Sequence, residues 1–161
     1  MISFEPIGLI HTPWTQLAGM PIQPAGARGV RGVVEVWQPY QAGLKDLEGF
    51  SHLILIYHFH RTSGYELQVV PFLDQEVRGI FATRAPKRPN PIGLSLVRLA
   101  AALPDGRLEV EDVDMLDGAP LLDIKPYVPE FDAPTGPVRI GWLTHLAHQA
   151  ENKKSDPRFS P

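Results

Sequence analysis

Short runs of alternating apolar and polar residues, broken by proline or glycine, recur along the chain as far as Pro126. Such runs predict half-buried β-strands. Ile2–His11, Val33–Trp37, Glu66–Phe72, Gly79–Thr83, Leu94–Leu99, Leu108–Val113 and Pro120–Ile124 are expected as strands. His52–His60 is apolar at successive positions and β-rich, which predicts a central strand. Gln41–Leu47 is expected as a short helix closed near Gly49, and Val138–Ala150 carries the one clear helical period. Glu151–Phe159 reads as a polar tail. Seven or eight short strands without intervening helices predict a mainly β domain, an antiparallel barrel or sandwich with short helices, one of them near the C-terminus. The expected division is 1–142 as the β domain and 143–161 as helix end and tail.

Composition sharpens this picture. The 161 residues include 17 prolines and 14 glycines, spread throughout, as many turns require. The absence of cysteine excludes disulfides and thiolate metal sites and fits a reducing compartment. The longest apolar run, Leu53–Tyr57, is too short to span a bilayer, and the first residues lack the regions of a signal peptide. A cytoplasmic protein is expected. The net charge is −3, but it is unevenly distributed. Arg78–Arg98 holds five basic residues and no acidic one, whereas Asp105–Asp123 holds seven acidic residues and Arg107. This asymmetry either creates a local positive site or reflects cross-strand pairing.

Within the basic segment, Pro86, Pro89 and Pro91 stiffen a loop bearing Arg84, Lys87, Arg88 and Asn90. Preorganisation of this kind lowers the ordering cost of binding a ligand. Met20-Pro21-Ile22-Gln23-Pro24 repeats the device, and Asp117-Gly118-Ala119-Pro120 is a turn with a carboxylate. The three segments are expected to converge at one end of the barrel to form a pocket. His52, His58 and His60 invite a metal reading, but their strand supplies no carboxylate or thiolate, so no metal site is assigned. Neither a Gly-x-Gly-x-x-Gly nor a Walker-type loop is present, which argues against a Rossmann nucleotide site and NTP hydrolysis.

Phe81-Ala82-Thr83-Arg84, Arg88-Pro89-Asn90-Pro91-Ile92-Gly93-Leu94-Ser95, Gly49-Phe50-Ser51-His52-Leu53, Asp117-Gly118-Ala119-Pro120 and Leu122-Asp123-Ile124-Lys125-Pro126-Tyr127 together resemble the TsaA-like, or TrmO, family. The resemblance covers residues 1 to about 142. It implies a small β-barrel, a homodimer, and an S-adenosylmethionine-dependent methyltransferase acting on N6 of threonylcarbamoyladenosine beside the anticodon of tRNA. The implied cofactor contacts are Pro21, Ile22, Gln23, His60, Arg61, Arg84, Leu94, Asp117, Gly118, Ala119 and Pro120. Members of the family often carry Gln at the position of Arg61 and Arg at that of Ile22. Many bacterial members have a further C-terminal domain, so the chain reads as a short form.

The chemistry suits these residues. Arg84 can pair with the cofactor's carboxylate through its planar fork, and Asp117 can accept from ribose hydroxyls or the amine. Asn90 can accept from the acceptor N–H and Tyr127 can stack on a base, making these two the catalytic candidates. Lys87, Arg88 and Lys125 are the candidates for RNA phosphates. Two rival readings are a noncatalytic cofactor- or RNA-binding barrel and a small-molecule methyltransferase.

Overall fold

Six strands close into one antiparallel barrel in the order β1-β2-β7-β6-β3-β8. The computed structural model describes residues 1–159. The strands are β1 (Gly8–His11), β2 (Arg31–Val36), β3 (His52–His58), β6 (Ile92–Ala102), β7 (Arg107–Glu111) and β8 (Ala119–Pro126). Two further strands, β4 (Gln68–Val69) and β5 (Arg78–Gly79), form a separate ribbon. Closure comes from β1, which pairs with β2 on one side and β8 on the other. Full closure leaves the barrel itself without a free sheet edge.

Alternation fills the barrel. Leu53, Leu55 and Tyr57 of β3 point inward with Ile10, Val34, Val36, Val97, Leu108, Val110 and Leu121. Ile54 and Ile56 of β3 retain partial exposure on the outer face, so β3 is buried on one face rather than both. Pairing of β3 runs unbroken from His52↔Arg98 to His58↔Ile92. Its other edge holds β8, with an irregularity between Ile56 and Tyr57.

Several elements are shorter than their patterns predict. The first strand begins only at Gly8, because Ile2 and Phe4 lie outside the barrel and stay exposed. Glu66–Phe72 and Gly79–Thr83 contribute two strand residues and one, the latter continuing as a 3-10 turn at Ile80–Ala82. Gln41–Leu47 falls in two 3-10 turns, Gln38–Leu44 and Leu47–Gly49, separated by Asp46 at φ 69°. The helix expected at Val138–Ala150 is replaced by 3-10 turns at Gly141–Leu143 and Ala147–Glu151. Gly141 sits at φ 56°, outside helical geometry, and interrupts the period. The single α-helical turn among the described residues is α1 (Pro129–Asp132).

The segment expected as a polar tail is fastened to the barrel's loops. Ser155 donates its N–H to Met20 O at 2.7 Å and accepts from Gly19 N at 2.8 Å, and Lys154 bridges Pro21. Phe159 is buried and stacks edge-on with Phe72 at 5.1 Å. Arg158 donates to Pro71 O at 2.7 Å and lies 5.2 Å from the centre of the Phe72 ring. Polarity concealed this: backbone pairing needs no apolar side chain, and one aromatic anchor suffices at the end.

Removing that anchor is expected to free the segment without melting the barrel. Burial of one phenylalanine contributes about 1.5–3 kcal/mol. Phe159→Ala is therefore expected to accelerate tryptic cleavage after Lys153 or Lys154 at least about tenfold. The measurement is limited proteolysis under native conditions, with the barrel's melting followed in parallel.

Candidate functional site

One end of the barrel opens into a cleft of about 820 Å³. Its walls come from the Met20–Gln23 loop, the end of β3 with Phe59–Thr62, the proline-locked loop, Gly93–Leu94, Asp114–Leu116 and the fastened C-terminal segment. The proline-locked loop holds itself in shape. Thr83 Oγ1 donates to Ile80 O at 2.8 Å, and Arg88 Nη1 donates to Thr83 O at 2.9 Å and Ala85 O at 3.0 Å. At its two ends, Phe59 N donates to Pro91 O at 2.8 Å and Glu66 N to Lys87 O at 3.2 Å. Arg84 reaches across the cleft mouth and donates to Gln23 Oε1 at 2.8 Å. Two stiff loops 61 residues apart are thus clasped by one charge-assisted hydrogen bond.

The structure brings nine of the sequence candidates to this cleft: Pro21, Ile22, Gln23, His60, Arg61, Arg84, Arg88, Leu94 and Ala119. Gly118 and Asp117 sit just behind Ala119. The carboxylate of Asp117 accepts from Thr12 N at 2.9 Å, and its own N–H donates to Trp14 O at 2.7 Å. Gly118 takes φ 77°, and a Cβ there would stand 3.9 Å from His60 Nε2. Pro120 lies in the β1–β8 seam opposite Leu9. Asn90 is exposed at the tip of the stiff loop and Lys87 is half-buried beside it, neither in the cleft wall.

Lys125 and Tyr127 are not brought there. Lys125 pairs with Ile54, four residues from His58, and Tyr127 N donates to His52 O at the opposite end of β3, so both lie away from the cleft end. Six residue steps of strand separate the two ends by about 20 Å. Sequence proximity to Asp117 concealed this, because β8 runs the length of the barrel in between.

Two polar residues of the cleft wall, Tyr57 and Asp114, and the buried Ser95 behind them were not anticipated. Tyr57 and Ser95 occupy inward positions on β3 and β6, and the Tyr57 hydroxyl meets Ser95 Oγ at 3.0 Å. Ser95 donates to Asp114 Oδ1 at 2.6 Å. The Tyr57 ring fits because Gly93 stands directly opposite; a Cβ on Gly93 would collide with the ring. A serine hydroxyl at an inward strand position was the available sequence signal. Asp114 gave none, since it follows Asp112 at φ 72°, where the strand alternation has ended. Burial raises the Asp114 carboxyl to about 6, against the opposing effects of the Ser95 hydrogen bond and Arg84. Burial, and then the Asp114 charge, raises the Tyr57 phenol as well, so it stays protonated.

The charged rim is mixed. His60 is held below the usual histidine range by burial first, then by Arg61 and His58. The charge asymmetry of the sequence resolves in two ways. Arg98 and Arg31 both pair with Glu111 across neighbouring strands, while Arg84, Lys87 and Arg88 make no ion pair among the described residues. No group of three or more His, Asp or Glu among the described residues is placed to hold a metal ion, and no helix is long and apolar enough to cross a membrane.

A closed barrel with a mostly apolar cleft and a few converging charges at one end is a small-molecule-binding β-barrel. Residues 9–133 match the family model described as the tRNA-methyltransferase O N-terminal domain. The chain belongs to this family. It is 53% identical over 159 residues to a Pyrococcus abyssi protein named as a probable S-adenosyl-L-methionine-binding protein, covering 99% of this chain and 85% of that one. It is 38% identical over 135 residues to the tRNA (adenine(37)-N6)-methyltransferase of Escherichia coli K12, covering 78% of this chain and 57% of that one. The crystal structure of TrmO from Pseudomonas aeruginosa superposes with a TM-score of 0.73 at 40% identity, over 88% of this chain and 62% of that chain.

The half-buried Asp114 carboxylate has a consequence for stability. Its folded value, about 6, lies above the ordinary 3.8. The folded protein therefore binds this proton more readily than the unfolded chain between those values, so this group's contribution to stability is lost as pH rises through about 6. Asp114→Asn keeps an acceptor for Ser95 and removes the charge. At pH 8 the variant is expected to be more stable than the parent by about 1–3 kcal/mol. The gap should close near pH 4, as read from thermal melts of both proteins across that range.

Proposed function

We propose that this chain is an S-adenosylmethionine-dependent methyltransferase that modifies N6 of threonylcarbamoyladenosine beside the anticodon of tRNA. One observation carries the reading: in a chain of this family, three segments far apart in sequence meet on one 820 Å³ cleft whose mouth is clasped by Arg84 and Gln23. The cleft suits the cofactor in size and chemistry, offering aromatic and aliphatic walls, a guanidinium and a carboxylate. When bound, that cofactor supplies an electrophilic methyl group on a sulfonium.

The residues of the chain do the positioning. Arg84 faces the cofactor's carboxylate, and Pro21, Ile22, Leu94 and Ala119 supply apolar surface for its adenosine. Asp117, Gly118 and Pro120 set the turn behind Ala119, with Asp117 also a candidate for ribose or amine contact. His60 and Arg61 close the adjoining wall. Asn90, exposed on the stiff loop, is assigned to the acceptor nucleoside, and Lys87 and Arg88 to phosphates. Lys125 and Tyr127 can serve this cleft only when presented by a second copy. The reading includes such a homodimer, acting in the cytoplasm. Phe81, 76% exposed on the cleft rim, is apolar surface it would cover.

Incubation with bulk tRNA and isotopically labelled S-adenosylmethionine, followed by nucleoside mass spectrometry, is expected to yield methylated threonylcarbamoyladenosine. Label in no nucleoside would refute the reading. Arg84→Ala removes a charge-assisted contact and the clasp to Gln23 together. It is expected to weaken cofactor binding in calorimetry about tenfold to a hundredfold.

A further inference from the structure

Asp114 is not explained by packing alone. Its Oδ1 accepts from Ser95, and no other side chain among the described residues donates to the carboxylate. Asp114 is only partly buried as a residue and lines the cleft. The other carboxylate in the cleft wall, Asp156, is taken by Arg158 through both of its oxygens. The remaining charges on the wall are cationic: Arg61, Arg84 and Arg88, with His58 and His60 beside them. A cationic ligand centre entering this cleft therefore meets one carboxylate, Asp114, that makes no ion pair among the described residues.

The surroundings of that carboxylate decide which kind of cation it suits. Phe59, Met115, Leu116 and Ala119 share the cleft wall and bring no strong hydrogen-bond acceptor on their side chains. The Tyr57 hydroxyl is engaged with Ser95. An ammonium has three N–H donors to satisfy, whereas a sulfonium has none and asks only for nearby negative charge and polarisable surface. The Tyr57 and Phe59 rings, packed edge to face at 5.6 Å, supply that surface.

Resting on the methyl-donor reading above, we infer that Asp114, oriented by Ser95 and Tyr57, is the anionic subsite for the sulfonium centre and makes the cleft prefer the charged donor to its neutral thioether product. Asp114 is thus a specificity residue. The groups that face it are Tyr57 from β3, Ser95 from β6 and Arg84 from the proline-locked loop. Burial raises the carboxyl to about 6 against the Ser95 hydrogen bond and Arg84, so the subsite is mostly charged at pH 7.5 and discharges in mild acid.

Calorimetric titration of the full chain with S-adenosylmethionine and with S-adenosylhomocysteine tests this without any RNA. Asp114→Asn is expected to weaken the sulfonium ligand about tenfold to a hundredfold, equivalent to about 1.4–2.8 kcal/mol, and the thioether less than about threefold. The parent's affinity for the sulfonium ligand should fall from pH 7.5 to pH 5.5, and the variant's should fall less. Should Asp114→Asn not fold, Ser95→Ala, which releases Oδ1, is expected to lower the same preference about threefold or more. Equal loss for both ligands, or no loss for either, overturns the inference and leaves the methyltransferase reading intact. Failure to methylate tRNA with the preference still dependent on Asp114 overturns only the reading of the substrate.

Discussion

The register between β3 and β6 is the constraint on which the cleft depends. Seven consecutive pairs, from His52↔Arg98 to His58↔Ile92, place Tyr57 opposite Gly93 and Leu55 opposite Ser95. Side-chain direction alternates along a strand, so a slip of one residue would turn Tyr57 out and replace it with Ile56 or His58. Burial of Leu53 and Leu55 on the same face makes such a slip costly. The apolar core thereby also sets the positions of the polar groups. The missing Cβ of Gly93 leaves the space that the aromatic ring takes.

Around this rigid end the loops are ordered by short-range means. Prolines limit the backbone of the stiff loop, and Thr83 and Arg88 tie down its carbonyls. The Met20–Gln23 loop, held by Pro21 and Pro24, is braced further from outside by Ser155 and Lys154. The Arg84–Gln23 bond then links the two. Because Arg84 is exposed, this clasp can exchange its partner for a ligand group at small net cost, since one charge-assisted bond replaces another. The cleft combines a fixed floor with a mouth that can be re-partnered.

Electrostatically the floor and the mouth oppose one another. The exposed loop carries Arg84, Lys87 and Arg88, while the floor carries Asp114. Holding Asp114 in an apolar wall costs stability at neutral pH, as expected where a site is built for binding and not for folding. The ion pairs of Arg31 and Arg98 with Glu111 are of another kind. They lie between adjacent strands on the barrel's outer surface, where such pairs contribute little.

Much of the barrel was legible in the sequence, because strand alternation and proline–glycine punctuation are local properties. The stiffness of the loop from Arg84 to Ser95 followed from its prolines alone, and the meeting of the Pro21, Arg84 and Ala119 segments was anticipated from their shared character. Local pattern did not determine lengths: β4 and β5 shrank to two residues each, and the period over Val138–Ala150 yielded only 3-10 turns. What only the tertiary structure decided was which end of the barrel each side chain occupies and which distant groups touch. Tyr127 lies ten residues beyond Asp117, yet β8 carries it to the far end. Asp114 and Ser95, 19 residues apart, meet at 2.6 Å because β6 and the segment after β7 come together there. Alternation and turn chemistry are encoded residue by residue, whereas barrel closure and register are properties of all six strands at once.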